Sequence, residues 1–219
     1  MIPSQTVPIA TIGLIAINGL VFLHEFSLVA HSPAALDGFI EVYGFIPSAF
    51  TIPTMVSSMF LHGSWMHLFG NMLSLWIFGD NIEDRLGHVK YLIFYLLCGV
   101  IASLAHVFTT GVFANNESAL LVPSLGASGA ISGVLGGYLL LHPKRRVTVI
   151  LFRFLTDVPA YVAIGIWFAF QLISGLGMLG GGSQQGGVAY AAHIGGFIAG
   201  LVLIKFFDRG GSSPRAPAY

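Results

Sequence analysis

Six long apolar runs, bounded by Pro, Gly or charged residues, set the pattern of the chain: residues 8–28, 56–78, 89–108, 127–141, 160–179 and 188–207. Each is continuously apolar and does not alternate every second residue, which predicts helices and argues against barrel strands. Most are close to the roughly 20 residues that a helix needs to cross a bilayer. The run at 127–141 is shorter and rich in Gly. A further apolar stretch, 147–155, is too brief to span and is interrupted by Arg153, so it reads as an interfacial piece of the fourth connection. The predicted fold class is therefore all-α: a polytopic membrane bundle of six transmembrane helices formed by residues 1–208. Residues 209–219, rich in Gly, Ser and Pro, read as a disordered cytoplasmic tail. The first run has no Lys or Arg before it and no obvious cleavage site after it, so it reads as a retained span and not a secretory signal.

Composition strengthens this picture. The chain is 55% hydrophobic and 8% charged, with a mean hydropathy of +0.84. Soluble domains carry about 25% charged residues, so a water-soluble globular protein is excluded. Nine Lys and Arg balance nine Asp and Glu, and no basic face recommends a nucleic-acid partner. Arg85 and Lys90 lie between spans two and three. Lys144, Arg145, Arg146 and Arg153 lie between spans four and five, while Lys205, Arg209 and Arg215 close the chain. Connections 29–55, 109–126 and 180–187 contain no basic residue. The positive-inside rule then places both termini in the cytoplasm and the three odd-numbered connections outside. The single cysteine, Cys98, cannot form an internal disulfide.

Strongly polar side chains within spans are costly and draw attention to function. Three clusters stand out. His62, His67 and Asn71 lie at the entrance to span two, with His67 and Asn71 on one helix face. Gly126, Ser128 and Gly129 open span four, where Gly129, Gly133 and Gly137 repeat every four residues and permit a close neighbouring backbone. His193 stands near the start of span six on the same face as Gly196 and Gly200. All three spans begin outside, so the polar groups share one depth in the outer leaflet. Ser128 beside a neutral His193 would be a nucleophile with its general base. Asn71 and the Ser128 backbone N–H could donate to a developing oxyanion. No Asp or Glu is expected at that depth to orient the histidine, which predicts a dyad and not a triad. The bland alternatives are a Ser bonded to the carbonyl four residues earlier, a His bridging two helices, and glycines that only pack. A metal site from His62, His67 and His193 lacks an accompanying carboxylate or HExxH pair, so no metal is expected.

At these residues the sequence resembles the rhomboid intramembrane serine proteases. The resemblance covers about residues 50–207 and rests on His62…His67-x-x-x-Asn71, Gly126-x-Ser128-Gly129 and Ala192-His193-x-x-Gly196-x-x-x-Gly200, joined by Gly79-x-x-x-Glu83-x-x-x-Gly87. It implies Ser128 as nucleophile, His193 as base, and an oxyanion hole of Asn71, His67 and the Ser128 N–H. It also implies structural roles for His62 in the first outer loop and Glu83 at the cytoplasmic end. Two departures stand out. Some members carry Tyr four residues after the nucleophile, where this chain has Ser132, so either another side chain orients His193 or Ser132 bonds it. The Trp-Arg pair of the first outer loop is absent.

The resemblance implies an endopeptidase that cuts transmembrane substrates near the outer end of their span, after a small residue, and that needs no cofactor. A membrane setting demands an unwound substrate segment, because irregular backbone is tolerated there only inside protein or a wet cavity. The loop at 180–187, with five glycines in eight residues, suits either a mobile lid or a plain connector. The rival reading is a catalytically inactive rhomboid-like protein that binds transmembrane clients. A transporter is disfavoured by the lack of an internal repeat and of a midplane polar pathway. The absence of a targeting presequence and the compact core suggest a prokaryotic inner membrane. The substrate and the oligomeric state are not legible.

Overall fold

The computed structural model describes residues 6–113, 117–151, 154–179 and 190–208. The tail at 209–219 and the glycine-rich loop at 180–187 lie outside the described residues. Among those described, eight α-helices follow in order: α1 (Ile9–His31), α2 (Pro33–Tyr43), α3 (Ile52–Ser57), α4 (Trp65–Leu86), α5 (His88–Phe113), α6 (Ser128–Leu141), α7 (Ala160–Leu179) and α8 (Tyr190–Phe207). Six of these, α1 and α4 to α8, fall on the six apolar runs. Helices Ile9–His31, His88–Val112 and Tyr190–Phe207 are long and apolar enough to cross a membrane, and Ser128–Leu141 and Ala160–Leu176 are shorter apolar helices.

The expectation of an all-α chain needs correction. Strands β1 (Arg146–Leu151) and β2 (Phe154–Pro159) pair antiparallel, with Arg146 opposite Pro159 and Leu151 opposite Phe154. The stretch read as an interfacial piece is this hairpin. Val147, Thr148, Val149, Thr156 and Val158 are β-branched, the residue type that suits a pleated surface. The predicted second span also begins too early. Residues 56–60 belong to α3 and a 3₁₀ turn, Ser58–Phe60, and the long helix starts only at Trp65. Met55, Met59 and Leu61 are apolar because they are buried in protein, which hydropathy alone does not separate from burial in lipid.

Helix α1 turns a polar stripe inward. Thr11, Asn18 and Glu25 are buried alongside Leu14 and Phe22, whereas Ile12, Ile17, Leu20 and Leu23 are exposed. Apolar side chains facing out and polar ones facing in is the arrangement a lipid surround requires. The N-terminus of α1 has no cap from Pro8. Glu83 of α4 fills that role, its carboxylate oxygens accepting the N–H groups of Ala10 and Thr11 at 2.8 Å each. These are two of the donors every helix start leaves unpaired, and a carboxylate suits the positive end of the helix. His88 Nδ1 lies 2.5 Å from the same carboxylate. Nearby, Asp84 accepts from the backbone and hydroxyl of Thr6, and Arg85 pairs with Asp208 at 2.9 Å. The start of α1, the end of α4 and the end of α8 therefore meet at one end of the bundle.

Helix α6 is the buried centre, with Ala130 through Tyr138 all inside. It meets α8 backbone to backbone. A Cβ built at Gly196 would collide with the Gly129 carbonyl oxygen, and one at Gly200 with the Gly133 carbonyl. Cys98 of α5, free and buried, lies against Gly133. The outer face of α8, with Ile198, Val202 and Phe206, is exposed. The small-residue rows thus fix which residues of the two helices face one another.

Candidate active site

The α6–α8 contact determines the site. Ser128 begins α6 one residue before Gly129, and His193 lies one turn before Gly196, so the glycine crossing brings the two side chains together. His193 Nε2 is 2.8 Å from Ser128 Oγ. Ser128 and His193 line a cavity of about 680 Å³ together with Asn71, His67, Gly126 and Trp167. Ser128 N–H belongs to the first turn of α6, where backbone donors have no partner within the helix and the helix dipole is positive.

Asn71 is buried, and its Nδ2 donates to His62 Nε2 at 2.9 Å. An amide nitrogen carries two N–H groups, so the side chain can serve His62 and still present a donor elsewhere. His62 is also buried, its ring 5.0 Å from that of His67 in an edge-on arrangement. Ser64 caps α4 by accepting the His67 N–H at 3.2 Å, which anchors the turn that carries His67 and Asn71. Gly126 has a φ of +121°, and a Cβ there would lie 2.6 Å from both Cε1 and Nε2 of His67. Only glycine fits at this approach to Ser128. Glu83 and Gly200 stand away from the cavity, Glu83 at the foot of α1 and Gly200 deeper in the α6–α8 crossing.

Two residues overlooked in the sequence join this end of the bundle. Glu25 is a carboxylate at this end of the bundle, but not one that orients the histidine. It is buried in α1 and accepts the His62 backbone N–H at 3.1 Å, so it supports the loop and does not orient His193. The partner of the histidine is Gln171 of α7, whose Oε1 is 2.7 Å from His193 Nδ1. Ser132 is not that partner, because its hydroxyl donates to the Ser128 carbonyl at 2.6 Å. Trp167, one turn before Gln171, holds its ring 6.1 Å from the imidazole at a tilt of 39°. The signal for Glu25 and Gln171 was present: each is a strongly polar side chain within a largely apolar run. Among the described residues no three His, Cys, Asp or Glu side chains converge as a metal site requires.

Fold and site together define a helical membrane protein with a serine–histidine pair set in a cavity. The model of the Rhomboid domain matches residues 50–209. Rhomboid protein 1, mitochondrial, of Saccharomyces cerevisiae is 32% identical over 149 residues, 68% of this chain and 40% of the relative. The human Presenilin-associated rhomboid-like protein, mitochondrial, is 30% identical over 195 residues, 89% of this chain and 47% of the relative. Rhomboid-like protein 11, chloroplastic, of Arabidopsis thaliana is 31% identical over 162 residues, 70% of this chain and 52% of the relative. The chain thus spans about half the length of these relatives, or less. It belongs to the rhomboid family and is an integral membrane protein.

Proposed function

We propose that the chain is an intramembrane serine endopeptidase that cleaves transmembrane segments of other membrane proteins near one end of their span. The observation that carries this reading is the 2.8 Å approach of His193 Nε2 to Ser128 Oγ within a cavity. Ser128 Oγ attacks the scissile carbonyl while Nε2 takes its proton. The proton then passes to the leaving amine, and water, deprotonated in turn by His193, hydrolyses the acyl-enzyme. The Ser128 N–H, Asn71 and His67 stabilise the oxyanion. The substrate enters as a locally unwound segment, since the peptide bond of an intact helix is shielded. Rhomboid proteases as a family act in this manner, and a small residue before the cut is the preference carried over from them.

The same proposal includes six spans with both termini cytoplasmic. Its support is the positive-inside count and the meeting of Thr6, Asp84, Arg85 and Asp208 at one end of the bundle. A prokaryotic inner membrane is the proposed setting, and the organelles named for the three relatives are those proteins' own. The test is labelling of the detergent-purified chain by a fluorescent fluorophosphonate. Wild type is expected to label, and Ser128→Ala and His193→Ala are expected not to. A folded wild type that excludes no probe and yet stays unlabelled would leave the inactive client-binding reading in its place.

A further inference from the structure

We propose that Gln171 is the positioning residue of the Ser128–His193 pair, its amide oxygen holding the imidazole in the tautomer that keeps the proton on Nδ1 and leaves the Nε2 lone pair for Ser128. The inference rests on the protease reading and supplies what that reading lacks, a partner that orients the histidine.

Gln171 is 6% exposed and is the only amide side chain in a helix that is otherwise largely apolar. A buried amide is costly unless it is hydrogen-bonded, and its partner is His193 Nδ1 at 2.7 Å. The atom presented is Oε1, a carbonyl oxygen that can only accept. Nδ1 must therefore donate. A neutral imidazole carries one N–H, so Nε2 is left as an acceptor, facing the Ser128 hydroxyl at 2.8 Å. That is the protonation state a general base requires. The opposite tautomer would need the amide turned over, with Nε2–H directed at Ser128 Oγ and no base available.

Neither Glu25 nor Ser132 orients the imidazole. The Glu25 carboxylate accepts the His62 backbone N–H, and the Ser132 hydroxyl donates to the Ser128 carbonyl. Trp167 lies four residues before Gln171 and so shares its helix face. Its ring limits one side of the imidazole while the amide fixes rotation about the other. As Ser128 Oγ bonds to the substrate carbon, its proton passes to Nε2. The imidazolium keeps its Nδ1–H on Gln171 Oε1, and this bond strengthens as the donor gains charge. The proton next leaves Nε2 for the amine, and Nδ1–H is never released.

The test uses the whole chain in detergent micelles, with a fluorescent fluorophosphonate as probe. Gln171→Met keeps the length and removes the acceptor, whereas Gln171→Glu keeps an acceptor in place. Labelling of Gln171→Met is expected to slow about 10- to 100-fold, the loss of one hydrogen bond to a group that becomes charged. Gln171→Glu is expected to recover to within about threefold of wild type, which a purely structural role would not give. ¹⁵N spectra of the histidine-labelled protein, with the His193 signal assigned by its absence in His193→Ala, should show the Nδ1–H form in wild type. In Gln171→Met the same signal should show a mixture of tautomers. Wild-type labelling in Gln171→Met, or an Nε2–H imidazole in wild type, overturns the inference while the protease reading stands. If Gln171→Met does not fold, the wild-type spectrum alone decides. If wild type does not label at all, the protease reading fails and the tautomer still tests Gln171.

Discussion

Replacing Gly196 with Ala tests whether the α6–α8 crossing sets the chemistry. The new Cβ would collide with the Gly129 carbonyl oxygen and lie 3.0 Å from its carbonyl carbon and 3.3 Å from Ala102 Cβ. None of these is the far end of a flexible side chain, so the helices themselves must part. Restoring even the 3.0 Å below which real Cβ contacts essentially never fall requires a separation of about 1 Å. Ser128 and His193 ride on the two helices within one turn of that contact, so their 2.8 Å bond would lengthen to nearly 4 Å and be lost. A misplacement of that size costs about 10²-fold in rate, or about 2.7 kcal/mol. Overpacking should lower stability by roughly 1–3 kcal/mol as well. The assay is the rate of fluorophosphonate labelling per folded molecule, with thermal unfolding measured in the same detergent. Gly165→Ala on α7, where an added Cβ meets nothing within 4 Å, is the control and should label normally. A folded Gly196→Ala variant that labels at the wild-type rate would refute the link between the glycine crossing and the serine–histidine distance.

Two further substitutions probe separate parts of the molecule. Asn71→Ala removes a proposed oxyanion donor and should lower kcat on a single-span substrate by about 10²–10³-fold with KM little changed; an equal rise in KM with kcat preserved would assign Asn71 to substrate binding instead. Glu83→Gln leaves one acceptor oxygen for the two α1 N–H groups that the carboxylate serves at 2.8 Å each. Thermal unfolding should show a loss of roughly 1–3 kcal/mol, with labelling per folded molecule unchanged because Glu83 lies at the end of α4 remote from the cavity.

How much of this was legible in the sequence follows from what each signal measures. The six helices on the apolar runs are legible because apolarity sustained over a span's length is rare outside helices that sit in lipid or in a deep core. The juxtaposition of Ser128 and His193 is legible because glycines at fixed spacing mark the faces where backbones touch; His193 shares such a face and Ser128 stands next to the first glycine of the other. The resemblance rests on the same residues and the family match agrees with it. The start of α4 is not legible, since Met55, Met59 and Leu61, in α3 and the turn after it, are apolar for burial against protein. The hairpin at 146–159 escapes a reading tuned to span length, although its β-branched residues carry the strand signal. Gln171 and Glu25 escape for another reason. Each lies in a long and mostly apolar run, and averaging over a window dilutes it, whereas the clusters around His62, Ser128 and His193 announce themselves by number. What neither residue can disclose in sequence is its partner, which lies on another element: His193 for Gln171 and the His62 backbone for Glu25.

The length of α6 ties these features together. Fourteen residues rise about 21 Å, short of the roughly 30 Å of a hydrocarbon core. A helix that short in a bilayer must leave at least one end inside protein, and its first-turn N–H groups then need partners other than lipid. A cavity lined by Asn71, His67 and Gly126 is such a place. In the proposed reaction those unpaired donors are what a tetrahedral oxyanion would occupy. The glycine row that lets α8 press against so short a helix also carries His193 to Ser128, and α7 brings the Gln171 amide to His193 Nδ1. A longer α6 would carry its N-terminal donors out to the polar surface, where water would satisfy them and compete with any substrate carbonyl. The short central helix therefore does more than fit the bundle: it sets its first-turn N–H groups beside Ser128, at the cavity, where a substrate carbonyl could meet them.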